Sequence, residues 1–179
     1  MSLTDKQVGV LKGMIKGGAI AVSIVALGSF FNPFGFEELM TPIEKISIAI
    51  LWSLIPTLFL AVSIGRLAKH RFFTAEDIDG GGLSAGTQQA KLLQSLLQNT
   101  FEQTVLAVLV YLAWSVAMPA SCLSVIPIAA LAFGLGRILF FAGYEKGAPS
   151  RAVGFTICFY PSIAMLITIA IAITYQQLS

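Results

Sequence analysis

Four stretches of this chain run for 20 residues or more without a charged side chain: residues 17–36, 46–65, 103–136 and 152–179. A lipid hydrocarbon core is ~30 Å thick, and about 20 helical residues rising 1.5 Å each will cross it. The third stretch is too long for one crossing and is interrupted at Pro119, where a helix loses a donor and clashes with its own preceding turn. It therefore reads as two helices, which gives five spans. Composition agrees. The chain is 56% hydrophobic and 11% charged, against about 45–50% and 25% in soluble domains, so it cannot clothe a water-facing surface. A net charge of +2 with no basic stripe leaves no footprint for nucleic acid.

The fold class read from these features is all-α: a polytopic membrane protein with helices over 7–31, 43–70, 88–118, 122–144 and 151–176. No strand and no internal repeat is visible. Pro56, Pro127 and Pro161 fall inside spans and are expected to kink them or to sit at adjusted turns. Residues 74–89 are polar and include Gly80-Gly81-Gly82, which reads as a flexible loop of the kind that often covers a site. Gly13, Gly17 and Gly134 suit close helix contacts. The first span competes with a signal-peptide reading, but its apolar run is long for one, so a retained helix is expected.

Charge supplies an independent check on the count. With the N-terminus inside, ten of the eleven basic residues fall in inner segments, and Lys45 alone lies outside, beside Glu37, Glu38 and Glu44. Five alternating spans obey the positive-inside rule, whereas four break the pattern. The expected location is a multi-pass membrane protein surrounded by lipid, N-terminus cytoplasmic and C-terminus on the opposite side. Cys122 and Cys158 lie at different depths, too far apart to bridge, and read as small apolar fillers.

Glu102 is the most informative single residue. It lies deep in the third span, where an ionised carboxylate costs several kcal/mol unless paired. Gln94, Ser95, Gln98 and Asn99 precede it at helical spacing and make one polar stripe from the inner surface toward mid-bilayer. Arg137 and Tyr144, two turns apart on the fourth span, and Arg151 at the start of the fifth, lie at the same level. Arg66, Lys69, His70 and Arg71 complete an inner rim. One carboxylate cannot satisfy both Arg137 and Arg151, so an anionic ligand is the simplest complement. The alternative is structural: Glu102 and Arg137 as an ion pair pinning two helices, with Asn99 and Gln98 as interhelical glue. One histidine and two distant cysteines make no metal site. The glycine run follows no strand and is no phosphate loop.

At these residues the sequence resembles the MAPEG superfamily, the membrane-associated proteins of eicosanoid and glutathione metabolism. The likeness runs from about residue 46 to 175. It rests on Asn99-Thr100-Phe101-Glu102, similar to the family's Asn-x-x-Glu, and on the run from Arg137 to Tyr144, similar to its Arg-x-x-Tyr-x-x-Gly-Tyr. Ala148-Pro149-Ser150-Arg151 resembles the Ala-Pro-x-Arg of prostaglandin E synthase. Phe140 stands where the family has a tyrosine, Ser95 where an arginine is common and Leu97 where a glutamine often lies. The resemblance implies a four-helix membrane domain over 43–179, with residues 1–42 an added N-terminal helix and outer loop. It also implies a homotrimer holding glutathione between subunits on the cytoplasmic side, with a lipophilic small molecule as second substrate. Arg151 would be the catalytic residue, stabilising the thiolate. Mapped by motif, Asn99, Glu102, Arg137 and Tyr144 would bind glutathione; Gln98 of the polar stripe and Arg66 and Arg71 of the rim are further candidates from their position. The implied function is a glutathione-dependent transferase or peroxidase acting on lipophilic electrophiles at the inner leaflet. The alternative is a non-catalytic binding or scaffolding trimer whose polar stripe is structural. A small transporter fits poorly, because no inverted repeat or broken-helix pair is present.

Overall fold

A computed structural model describes residues 3–178; the terminal positions Ser2 and Ser179, expected on opposite sides of the membrane, lie outside the described residues. The helices start where the sequence offers caps. Thr4 and Gln7 form a reciprocal capping box at the start of α1 (Asp5–Phe30), and Thr41 and Glu44 form another before α2 (Pro42–Trp52), with Pro42 in the first turn. Each box satisfies amide groups that a helix start leaves unpaired. After α3 (Leu54–Phe73), Thr87 caps α4 (Gln88–Ala117) by accepting from the Ala90 amide. The chain ends in α5 (Val125–Gly143) and α6 (Ala148–Leu178).

Five segments are long and apolar enough to cross a membrane, with α2 and α3 together making the second. The single helix expected over 43–70 is broken at Ser53. Pro56 has no N–H to offer the Trp52 carbonyl, and Ser53 turns its own amide and hydroxyl back onto Ala49. Pro127 lies in the first turn of α5, where no donor is needed, so it does not interrupt the span. Pro161 remains inside continuous α6.

The most buried spans are α4 and α5, and the end of α4 and the start of α5 form an apolar core with α6 around Tyr111, Trp114, Leu123, Ile126, Phe133 and Met165. Lys45 has a job there: it donates from Nζ to the Met118 carbonyl at 2.6 Å, and Met118 ends α4, so a cation meets the negative pole of a helix. Helix α1 is not a loose addition. It lies along α6 with Gly9, Gly13 and Gly17 at the contact. A Cβ at Gly9 would stand 2.8 Å from Pro149 Cβ, one at Gly13 2.7 Å from Ala152 Cβ, and one at Gly17 would overlap Thr156. Thr156 Oγ1 donates across the seam to the Gly13 carbonyl at 3.1 Å. Small residues at four-residue spacing allow such close approach in lipid. The contacts expected of Gly13 and Gly17 are therefore present. Gly134 likewise meets Ile55 and Phe59 of α3.

The loop at 74–87 is more structured than the flexible cover the sequence suggests. Asp77 is 1% exposed. It accepts from the Thr87 amide at 2.8 Å, from the Thr87 hydroxyl at 2.6 Å and from His70 Nε2 at 2.8 Å. One carboxylate thus ties the end of α3 to the start of α4. His70 is a partner in that knot rather than a plain rim residue. The Thr87 bonds, with His70 adding to them, hold the Asp77 carboxyl below the ordinary range.

Candidate functional site

Arg137 stands at the centre of the half of the bundle that holds the 74–87 loop and the Gly147 turn. It is fully buried, and its guanidinium joins three helices. Nη1 donates to Asn99 Oδ1 at 2.9 Å and to Thr100 Oγ1 at 3.5 Å on α4, while Nε donates to Cys158 Sγ at 3.2 Å on α6. Its charge lies over the Phe140 ring at 4.6 Å and faces the Phe133 ring at 5.5 Å. Ring faces are negative, so they stabilise a cation that water cannot reach. Nη2 has no partner among the described residues. Cys158 is more than the apolar filler expected of it: its thiol accepts from Arg137 and donates to the Phe133 carbonyl at 3.4 Å.

The Glu102–Arg137 ion pair considered from sequence does not form within the chain. The single ion pair among the described residues joins His70 and Asp77. Glu102 is exposed on the outer face of α4, where Gln98 Nε2 donates to Oε1 at 2.8 Å. The reason is helical phase. Thr100, Gln103, Thr104 and Ala107 face the bundle, so Glu102 is carried to the opposite side, and the stripe Gln94-Ser95-Gln98-Glu102 points away from the chain's own core.

Three of the residues expected at the site do meet. Asn99, Tyr144 and Arg151 line one cavity of about 390 Å³ between α1, α4, α5 and α6, with Arg137 bonded behind Asn99. The Arg151 guanidinium stacks 4.3 Å from the Tyr144 ring centre, and the Tyr144 ring meets Phe140 edge-on at 5.3 Å. The turn at Gly147, whose φ is +98°, lets α6 begin immediately and places Arg151 in its first turn. No acidic residue occupies that turn. A helix start is already positive, and Arg151 adds to it, so this end of the cavity is short of negative charge. The other walls are apolar or aromatic: Phe155, Phe159 and Tyr160 on α6, and Val10 and Met14 on α1.

The remaining candidates lie elsewhere in the single chain. Arg66 is exposed and stacks 5.5 Å from the Phe141 ring. Arg71 donates to Gln94 Oε1 at 3.2 Å beside Lys91 in an open cavity of about 730 Å³ under the 74–87 loop. Neither lines the Arg151 cavity. Sequence reading missed the walls supplied by Val10, Met14 and the α6 aromatics. Phe155 and Phe159, four residues apart, were the available signal, but an aromatic pair in a membrane helix more often faces lipid. No group of three or more potential metal ligands is gathered among the described residues.

No curated protein and no solved structure matches the chain. A family model does: the one described as MAPEG family matches residues 46–171, from α2 through most of α6. That covers more than two thirds of the sequence and every helix that carries Asn99, Arg137, Tyr144 and Arg151. The chain belongs to the MAPEG family.

Proposed function

We propose that the protein is a glutathione-dependent transferase or peroxidase acting on lipophilic electrophiles at the inner leaflet. It works as a homotrimer with its N-terminus cytoplasmic and its C-terminus on the other side. The observation that carries this reading is the Arg151 cavity, where a cation without a carboxylate partner stands in a first helical turn beside Asn99 and Tyr144, against an otherwise apolar wall. Glutathione brings two carboxylates, one ammonium and a thiol. Arg151 favours the thiolate, the nucleophilic form, over the thiol of pKa ~8.5. The thiol proton passes to water. The sulfur pair then attacks an electrophilic carbon, forming a C–S bond as the leaving group departs or the adjacent π bond accepts the electrons. With a hydroperoxide, the thiolate attacks oxygen, the O–O bond breaks to give an alcohol, and a second glutathione reduces the sulfenic acid to disulfide and water. Glu102 and Gln98, exposed together on α4, are available to the ligand's ammonium from a neighbouring subunit's side.

Equilibrium dialysis of purified protein against labelled glutathione tests this. Saturable binding is expected, weakened about 10- to 150-fold by Arg151→Leu, the equivalent of a lost charged hydrogen bond of about 1.5–3 kcal/mol. Absence of saturable binding would overturn it. One observation favours a second reading, a non-catalytic binding or scaffolding trimer: the Asn99 carbonyl is already occupied by Arg137, as in a purely structural clamp. In that reading Asn99→Ala destabilises the protein and Arg151→Leu changes nothing.

A further inference from the structure

Helix α1 lies outside the segment that the family model matches, yet it forms part of the wall of the Arg151 cavity. Its position there is fixed. The Gly9, Gly13 and Gly17 seam sits on Pro149, Ala152 and Thr156, so it brackets Arg151 on α6. Any side chain next to those glycines is held in register with the guanidinium.

Val10 and Met14 have a second neighbour. Together with Ala148 they also line a separate groove of about 380 Å³, which runs toward the start of α1 past Leu11, Gln7, Lys6 and Leu3 and is mainly apolar. The same three residues therefore form a partition. On one side is a cavity with a cation at its end, and on the other a mainly apolar groove, with Lys6 and Gln7 in its lining, continuing away from it. Met14 is 42% exposed and is an unbranched, rotatable side chain of the kind that adapts to a ligand surface.

We infer that α1 is a specificity element, in which Met14 and Val10 form a stop that sets how long an apolar chain the Arg151 cavity accepts. This rests on the glutathione reading for the polar end of the ligand. The apolar end is identified by the wall alone: an uncharged, flexible chain, since past Arg151 the cavity presents no further charge.

The test uses S-alkyl glutathiones, from methyl to dodecyl, and measures their affinity for full-length protein in detergent, with unsubstituted glutathione as the reference. In wild type, affinity should rise up to about fourfold for each methylene that leaves water, then level off where the chain meets Met14. Met14→Ala should move the levelling point to longer chains by opening the groove, and Met14→Trp should move it to shorter ones. The readout is the position of the levelling point, taken relative to each variant's own affinity for unsubstituted glutathione. Val10→Ala should act in the same direction as Met14→Ala. If glutathione binds and the levelling point stays fixed in all three variants, α1 is no stop and the inference fails alone. If glutathione does not bind but long-chain derivatives do, with a Met14-dependent levelling point, the stop is supported and the glutathione reading fails. If no member of the series binds, both fail.

Discussion

Removing the Asn99 side chain should destabilise this protein more than removing the charge of Glu102, although Glu102 is the acidic residue of the same helix. Arg137 is fully buried and already leaves Nη2 unpaired. Asn99→Ala takes away its 2.9 Å bond and leaves Nη1 only the 3.5 Å contact to Thr100. A hydrogen bond to a charged group contributes about 1.5–3 kcal/mol, and a buried charge stripped of its partner cannot recover that from water. For a chain of this size the loss corresponds to roughly 3–12 °C in apparent Tm. Glu102→Gln should cost under about 1 kcal/mol, because the carboxylate is exposed and, among the described residues, bonded only to Gln98. The decisive comparison is a double-mutant cycle. Arg137→Met removes the charge and fills the same space, so adding Asn99→Ala on that background should cost little. The coupling should be about 1.5–3 kcal/mol. Thermal unfolding in detergent, followed by circular dichroism, reads all four proteins. Additive losses, or a Glu102→Gln effect equal to that of Asn99→Ala, would refute the clamp.

Gly17→Leu should detach α1 from α6, because even a Cβ there overlaps Thr156; overpacking of about 1–3 kcal/mol should appear as a lower Tm and as protease access to residues 5–30. At the 74–87 loop, Thr87→Ala should cost about 1 kcal/mol as a lost N-cap. The Asp77 carboxyl is held below its ordinary value, so its contribution is fully present above the unfolded value of ~3.9 and is lost as pH falls through the lower folded one. Protection of the Thr87 amide in hydrogen exchange should therefore hold from neutral pH to about 4 and fall below it; loss beginning near pH 6 would contradict this assignment. Cysteines placed at Ser2, Asp79 and Ser179 should label from the inside, inside and outside respectively, and labelling of both ends from one side would refute five alternating spans.

The spans were legible because charge and hydropathy are one-dimensional signals: the bilayer forces apolar runs, and Lys and Arg mark their inner ends. The Gly13–Gly17 contact was legible for the same reason, since a small-residue spacing on one helix is local. What sequence could not supply was helical phase between elements. It drew Glu102 toward Arg137 because opposite charges at one depth attract, but the core-facing side of α4 is Thr100, Gln103 and Thr104, which turns Glu102 outward. It also scattered the binding set. Arg66 and Arg71 share a level with Arg151 when read along the sequence, yet neither lines its cavity, a distinction that depth alone cannot make. The Asp77–His70–Thr87 knot joins residues 17 positions apart through a loop whose glycines suggested mobility. Thr87 just before an apolar periodic run was the overlooked sign of a cap.

The ultraviolet absorbance of glutathione bound to the protein tests the central claim, that Arg151 holds a thiolate, most directly. With saturating glutathione at neutral pH, wild type should show a thiolate band, titrating one to two pH units below the ~8.5 of a free cysteine thiol. Each unit corresponds to about 1.4 kcal/mol of preference for the anion. Arg151→Leu should abolish the band with only a small fall in Tm, because the residue sits half-buried at a helix start and its stacking on the Tyr144 ring is worth about 0.5–2 kcal/mol. A wild-type protein that binds glutathione without any thiolate band, or an Arg151→Leu variant that keeps the band, would contradict the account.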